Sequence, residues 1–136
     1  MKAIYVFLAA FVMAGISQSC NDKDDAQKDQ RDELVGVWQL LDITGGFSGG
    51  GYEADFTDVE FKSNGTYRIN NHDEARGEGT YELTTIEEDL MLRLTPNDAT
   101  KIGFEEHEKT VTFDAGKLFL SDPCCDLFTY EFGTPN

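Results

Sequence analysis

The sequence predicts an all-β fold: a small antiparallel up-and-down barrel of eight strands over residues 34–136, preceded by a helical signal peptide and a disordered linker. Three observations carry this. From Leu34 onward, apolar and polar residues alternate in short runs, with no sustained period of 3.6. Turn residues separate the runs at short intervals, the pattern of sandwiches and barrels. The connections are local, which favours strands laid down in order, and closing such a meander removes the bare edges that invite aggregation. A β-sandwich is the structural alternative.

Composition limits the functions available to this fold. The chain has 136 residues, 27% charged and 40% hydrophobic, the mix of a single soluble domain and too short for a multidomain enzyme. It carries 11 basic and 26 acidic residues, a formal charge of −15. A nucleic-acid binder that works through phosphate contacts needs clustered Lys and Arg, so that class is excluded. From residue 34 onward there are twenty acids against seven bases. A field of that sign favours a basic protein or peptide as partner, and also serves solubility alone.

Residues 1–19 read as a signal peptide. Met1-Lys2-Ala3 carries one positive charge, and an apolar run extends unbroken from Ile4 to Ile16. Thirteen residues at about 1.5 Å each fall short of a hydrocarbon layer of roughly 30 Å, so the run is an export signal rather than a span. The segment Ile16-Ser17-Gln18-Ser19-Cys20 that ends it resembles the lipobox of bacterial lipoproteins. The resemblance implies cleavage before Cys20 and lipid attachment at Cys20, with the membrane as partner through that lipid. Ser17 departs from the usual aliphatic residue, as in the looser boxes of Bacteroidota-type lipoproteins. Ser17-Gln18-Ser19 also suits an ordinary signal peptidase, which would leave Cys20 unlipidated and the protein periplasmic.

Residues 20–33 are the linker. From Asn21 to Glu33 there is no large apolar side chain, so composition supplies nothing to offset the entropy of ordering. The expectation is an acidic flexible tether reaching roughly 20 Å. Lys23-Asp24-Asp25 resembles the acidic export signal that sends Bacteroidota-type lipoproteins to the outer face of the outer membrane. As a plain solvated linker the same run carries no address.

The strands follow in order. Leu34 to Ile43 is the first, with Trp38 and Leu40 on one face and Val37, Gln39 and Leu41 on the other. Gly45-Gly46-Phe47-Ser48-Gly49-Gly50-Gly51 is too flexible for a strand and forms a loop. Val59 and Phe61 alternate with Glu60 and Lys62, and Asn64-Gly65 turns the chain into Tyr67 and Ile69. Thr80 to Leu83, Leu90 to Leu94, Ile102 with Phe104, Val111 with Phe113, Leu118 to Leu120 and Leu127 to Phe132 complete eight or nine candidates.

Gly36-Val37-Trp38 looks like the Gly-x-Trp entry of lipocalins. So does the layout that follows: Phe61-Lys62-Ser63-Asn64-Gly65-Thr66-Tyr67, then Gly79-Thr80-Tyr81-Glu82-Leu83, then Asp126-Leu127-Phe128-Thr129-Tyr130-Glu131-Phe132. Residues 34–133 are thus similar to the small lipocalin-like domains of bacterial lipoproteins. The resemblance implies a non-enzymatic binding protein for a small apolar or amphipathic ligand. The domain is short for a ligand-carrying lipocalin.

An eight-stranded barrel is just wide enough to be filled by side chains or to hold one small ligand. For the second case alternation nominates Trp38, Tyr67, Tyr81, Phe113 and Tyr130 as the wall, with Phe47 and Tyr52 in the glycine loop as a lid. For the first, the barrel is an interaction or inhibitor module that presents acidic loops to a basic partner. Catalysis is not expected. Gly46-Phe47-Ser48-Gly49-Gly50 matches a nucleophile elbow only as a string, since a strand rather than a helix follows it. His72 and His107 are too few for a zinc site, and no motif asks for a cofactor. Cys124 and Cys125 are adjacent, with Cα atoms about 3.8 Å apart, below the usual disulfide span. They stand as two thiols in a turn, or as a strained vicinal disulfide. Palmitate labelling tests the anchor: Cys20→Ala abolishes incorporation, and label that persists in the variant refutes the site.

Overall fold

Each strand pairs antiparallel with the next, and the last pairs with the first, so the sheet closes on itself. The computed structural model describes residues 22–46, 53–98, 103–104, 107–124 and 128–136. A helix, α1 (Asp22–Leu34), precedes the strands β1 (Gly36–Gly45), β2 (Asp58–Phe61), β3 (Thr66–Asn71), β4 (Glu74–Ile86), β5 (Asp89–Pro96), β6 (Glu108–Asp114), β7 (Lys117–Ser121) and β8 (Phe128–Gly133). The strand order around the barrel is the order in the chain, the eight-stranded meander that alternation predicted.

Closure runs through β1 and β8, from Gln39↔Gly133 to Gly45↔Phe128, with a bulge where the register shifts between Leu40 and Asp42. The extra residue bends β1 so that it can pair with β2 along its first half and with β8 along its second. The β2–β3 turn differs from the symmetric Asn-Gly form. Gly65 alone has positive φ (83°), and the Gly65 N–H donates to the Lys62 carbonyl at 3.1 Å. The Asn64 side chain accepts from the Thr66 N–H at 3.1 Å, which stabilises this three-residue turn.

The linker expectation is corrected by α1. Asp22–Leu34 is helical although it has a very low mean hydropathy, because the barrel supplies its partners. Leu34 is fully buried, the Gln27 amide donates to the Leu83 carbonyl at 2.5 Å, and the Arg31 guanidinium lies over the Tyr81 ring. Leu34 is therefore the last residue of a helix rather than the first of a strand. At that end the Trp38 indole N–H donates to the Leu34 carbonyl at 2.8 Å, satisfying one of the carbonyls a helix C-terminus leaves open. Gly36, at φ 147°, turns the chain from the helix into β1 in a conformation that disfavours any side chain.

A second correction concerns Ile102 and Phe104. Phe104 lies in a bend outside every strand, and Ile102 falls outside the described residues. Two apolar residues separated by Gly103 are too few to hold a strand; instead Phe104 turns inward as a plug, 2% exposed.

The barrel is filled from both ends. Near α1, Phe61 meets Tyr81 edge-on at 5.2 Å between ring centroids, with Tyr67 beside them and Trp38 against Phe113. At the other end Phe56 and Phe104, both from connections, pack at 5.1 Å, and Phe104 meets Tyr130 edge-on at 5.0 Å. Val59, Ile69, Leu92, Leu118 and Leu120 occupy the space between. Edge-on contacts at such separations add about 0.5–1.5 kcal/mol each beyond the area buried.

One charged pair interrupts this apolar interior. The Lys109 ammonium is fully buried and paired with the Asp122 carboxylate, itself buried, while the rings of Phe104 and Tyr130 lie 5.4 and 5.1 Å from the ammonium. The other carboxylate oxygen of Asp122 accepts from the Phe128 N–H at 3.1 Å, and the Asp122 N–H donates to the Phe128 carbonyl at 3.0 Å. The pair thus ties β6 to both ends of the β7–β8 connection. Removing one partner leaves a buried charge uncompensated. Lys109→Met therefore lowers stability by about 3–5 kcal/mol in denaturant melts. Adding Asp122→Asn recovers most of that loss, since Asn is neutral and keeps an acceptor for Phe128.

Candidate binding surface

The structure places the five nominated wall residues among the side chains that fill the interior. Trp38, Tyr67, Tyr81 and Tyr130 are buried, Tyr130 completely, and Phe113 is half-buried at the α1 end. Trp38, Tyr67, Tyr81 and Phe113 share that end, whereas Tyr130 belongs to the opposite cluster. Two of their polar atoms serve the fold: the Tyr81 hydroxyl donates to the Lys62 carbonyl at 2.8 Å and the Trp38 indole caps α1. Phe47, Tyr52, Cys20 and Cys125 lie outside the described residues, and Cys124 is exposed.

Concavities formed by the described residues open on the outside of the barrel wall. One of about 600 Å³ on the outer face is lined by Val37, Gln39, Asp58, Asn70, His72 and Asp73. One of its two carboxylates is already engaged: Asp58 accepts from the Asn70 amide at 2.7 Å and from the Thr57 hydroxyl at 3.0 Å. Among the described residues no group of three or more His, Cys, Asp or Glu is arranged to hold a metal ion.

A second concavity, of about 420 Å³, opens between α1 and the start of β5 and end of β6. Gln30 and Glu33 come from the helix, Glu88 from the β4–β5 turn, Asp89 from the start of β5, and Thr112 and Phe113 from β6. Each is placed by local rules. Glu33 is three residues from Gln30, hence on the same helix face. Glu87, at φ 58°, leads the two-residue turn between Ile86 and Asp89. Phe113 is the last inward-facing residue of β6, where the barrel interior meets the outside, and it is only half-buried. Among the described residues, Glu33, Glu87, Glu88 and Asp89 take part in no ion pair, unlike Glu60, Glu74, Glu78, Glu108, Asp122 and Glu131. Ile86, 57% exposed, adds an apolar side chain beside them. Three of these carboxylates, Glu33, Glu88 and Asp89, line the cleft with a partly accessible aromatic ring, and Glu87 adjoins them in the turn, an arrangement that suits an ammonium or guanidinium attracted by the charges and by the ring face together.

The fold and this cleft define a class, a filled eight-stranded barrel with a helix across one end and charge gathered beside the helix. Comparison with family models, curated proteins and solved structures finds no match to this chain.

Sequence reasoning passed over Lys109 and the cleft. Lys109, Val111 and Phe113 share one face of β6, so alternation alone points the lysine inward. The cleft depends on α1, which composition hid.

Among the interior side chains, Tyr67 reports on burial directly. Loss of solvent pushes its phenol above the ordinary value of 10.0. An unfolded chain releases that proton near pH 10 while the folded one retains it. The stability is therefore complete below pH 10 and declines as pH rises from there toward the folded value. Tyr67→Phe removes this decline, so the variant's stability falls less steeply above pH 10 than that of the parent chain in alkaline denaturation curves.

Proposed function

We propose that this chain is a cell-envelope lipoprotein, anchored through Cys20 in the outer membrane, whose lipocalin-like barrel works from its outer surface as an acidic module binding a basic protein or peptide. The observation that carries the reading is the division of labour in the side chains. The aromatic residues that would line a ligand chamber pack against one another, while unpaired acids collect around Phe113. Binding at such a site is steered by charge and finished by a Lys or Arg inserted over the ring. The likeness to lipocalin-like lipoproteins in residues 34–133 supports the envelope setting.

A small apolar ligand is the second reading, favoured by one feature of α1. Leu34 is its one buried side chain among those described, so few apolar contacts would be lost if the helix moved aside and exposed Trp38 and Phe113.

Titration of the full chain with a lysine-rich peptide separates the two. The acidic-module reading expects binding that weakens steeply with salt and drops about tenfold or more in Glu87→Gln/Glu88→Gln/Asp89→Asn. Binding that ignores both salt and these substitutions defeats it. A saturable change of Trp38 fluorescence with fatty acids, absent with the peptide, favours the second reading.

A further inference from the structure

Six of the eight basic side chains that the structure describes are matched. Lys62, Arg68, Arg76, Arg93, Lys109 and Lys117 each pair with a carboxylate. Among the described residues Lys28 and Arg31 form no ion pair, and both line one concavity of about 390 Å³ between α1 and β4, with Gln27, Tyr81, Glu82 and Leu83. A chain with 26 acids and 11 bases offers carboxylates in excess, so two cations left side by side without one are conspicuous.

The topology explains how this cleft arises. The last β3–β4 pair is Thr66↔Thr80, and β4 continues to Ile86. Beyond Tyr81 the β3 side of β4 therefore has α1 beside it instead of a strand. Gln27 holds the helix there through the Leu83 carbonyl. The Tyr81 ring, pinned by its hydroxyl on the Lys62 carbonyl, supports the Arg31 guanidinium 5.7 Å from the ring centroid. A cation–π contact of this kind holds the guanidinium near the ring without using its N–H donors, and no side-chain hydrogen bond engages them among the described residues. The two flanks of α1 thus carry opposite signs: Lys28 and Arg31 toward β4, Glu33 toward β5 and β6.

We infer that the α1–β4 cleft is an oxyanion site that takes a phosphate group. A planar guanidinium held ready on an aromatic ring matches two phosphate oxygens at once, and an adjacent ammonium adds the second charge that a phosphate monoester or headgroup phosphate calls for. The phosphate has two sources, a soluble phosphate compound or the headgroup of an anionic lipid. The second rests on the lipoprotein reading: Asn21 alone separates Cys20 from α1, and Lys28 lies about 9 Å along the helix from Asp22, within reach of a headgroup layer. The first does not depend on it, and neither depends on a basic partner.

The test uses the full chain, with the backbone amides of Tyr81 and Gly65 read by NMR. In neutral detergent, inorganic phosphate shifts both amides saturably, and Lys28→Gln and Arg31→Gln each weaken binding about tenfold or more. Arg31→Lys restores part of it, and Glu82→Gln, which removes a negative charge from the rim, strengthens it. In phosphatidylcholine discs, a shift that appears only when phosphatidic acid is included, and that added phosphate reverses, identifies the lipid headgroup as the source. Saturation by phosphate with no response to the lipid identifies the soluble compound. The site is overturned if phosphate and lipid both leave the amides unmoved, or if the shifts survive in Lys28→Gln/Arg31→Gln. Lys28 is exposed, so its substitution carries the test even if the Arg31 variants lose the helix.

Discussion

Pairing of β8 with β1 across the bulge at Leu41 is the contact on which the rest of this structure depends. It turns an eight-stranded meander into a closed cylinder, and a cylinder of eight strands has room for its own side chains and little else. The aromatic content then decides how the volume is used. Trp38, Phe61, Tyr67 and Tyr81 occupy one end, and Phe56, Phe104, Tyr130 and Phe132 the other. With the interior committed to packing, the surfaces open to other molecules are the outside and the rims.

The two rims are closed by different means. At one, Phe56 and Phe104 turn inward from connections, and the Lys109–Asp122 pair fastens the β7–β8 crossing. A buried ion pair gains little net stability over apolar packing, because desolvating both charges offsets much of their attraction. Its geometric demand is what it adds: Lys109 is satisfied only when β6 and both ends of that connection are in register.

At the opposite rim α1 lies across an opening that the long β4–β5 hairpin leaves beside β3. The helix contributes little apolar surface and much charge. It therefore acts as a partition, with a cation-lined cleft on one flank and an anion-lined cleft on the other. A surface of both signs on one short helix, close behind the cysteine that resembles a lipid-attachment site, gives this rim more recognition chemistry than the rest of the barrel wall.

Alternation in residues 34–133 determined by itself that the chain is built of short antiparallel strands in sequential order, because side chains on a pleated strand face opposite sides with period two. It placed Trp38, Tyr67, Tyr81 and Tyr130 on the inward face, and the structure puts them there. Only the tertiary structure decided the fate of Asp22–Leu34 and of Phe104. No local pattern makes a charged, apolar-poor segment helical. Its partners, the Leu83 carbonyl, the Tyr81 ring and the Trp38 indole, are four to fifty-six residues away and exist only once the barrel has formed. Lys109 shows the same limit: its period was legible in β6, but the carboxylate that makes its burial tolerable comes from Asp122, a neighbour that folding alone brings to it.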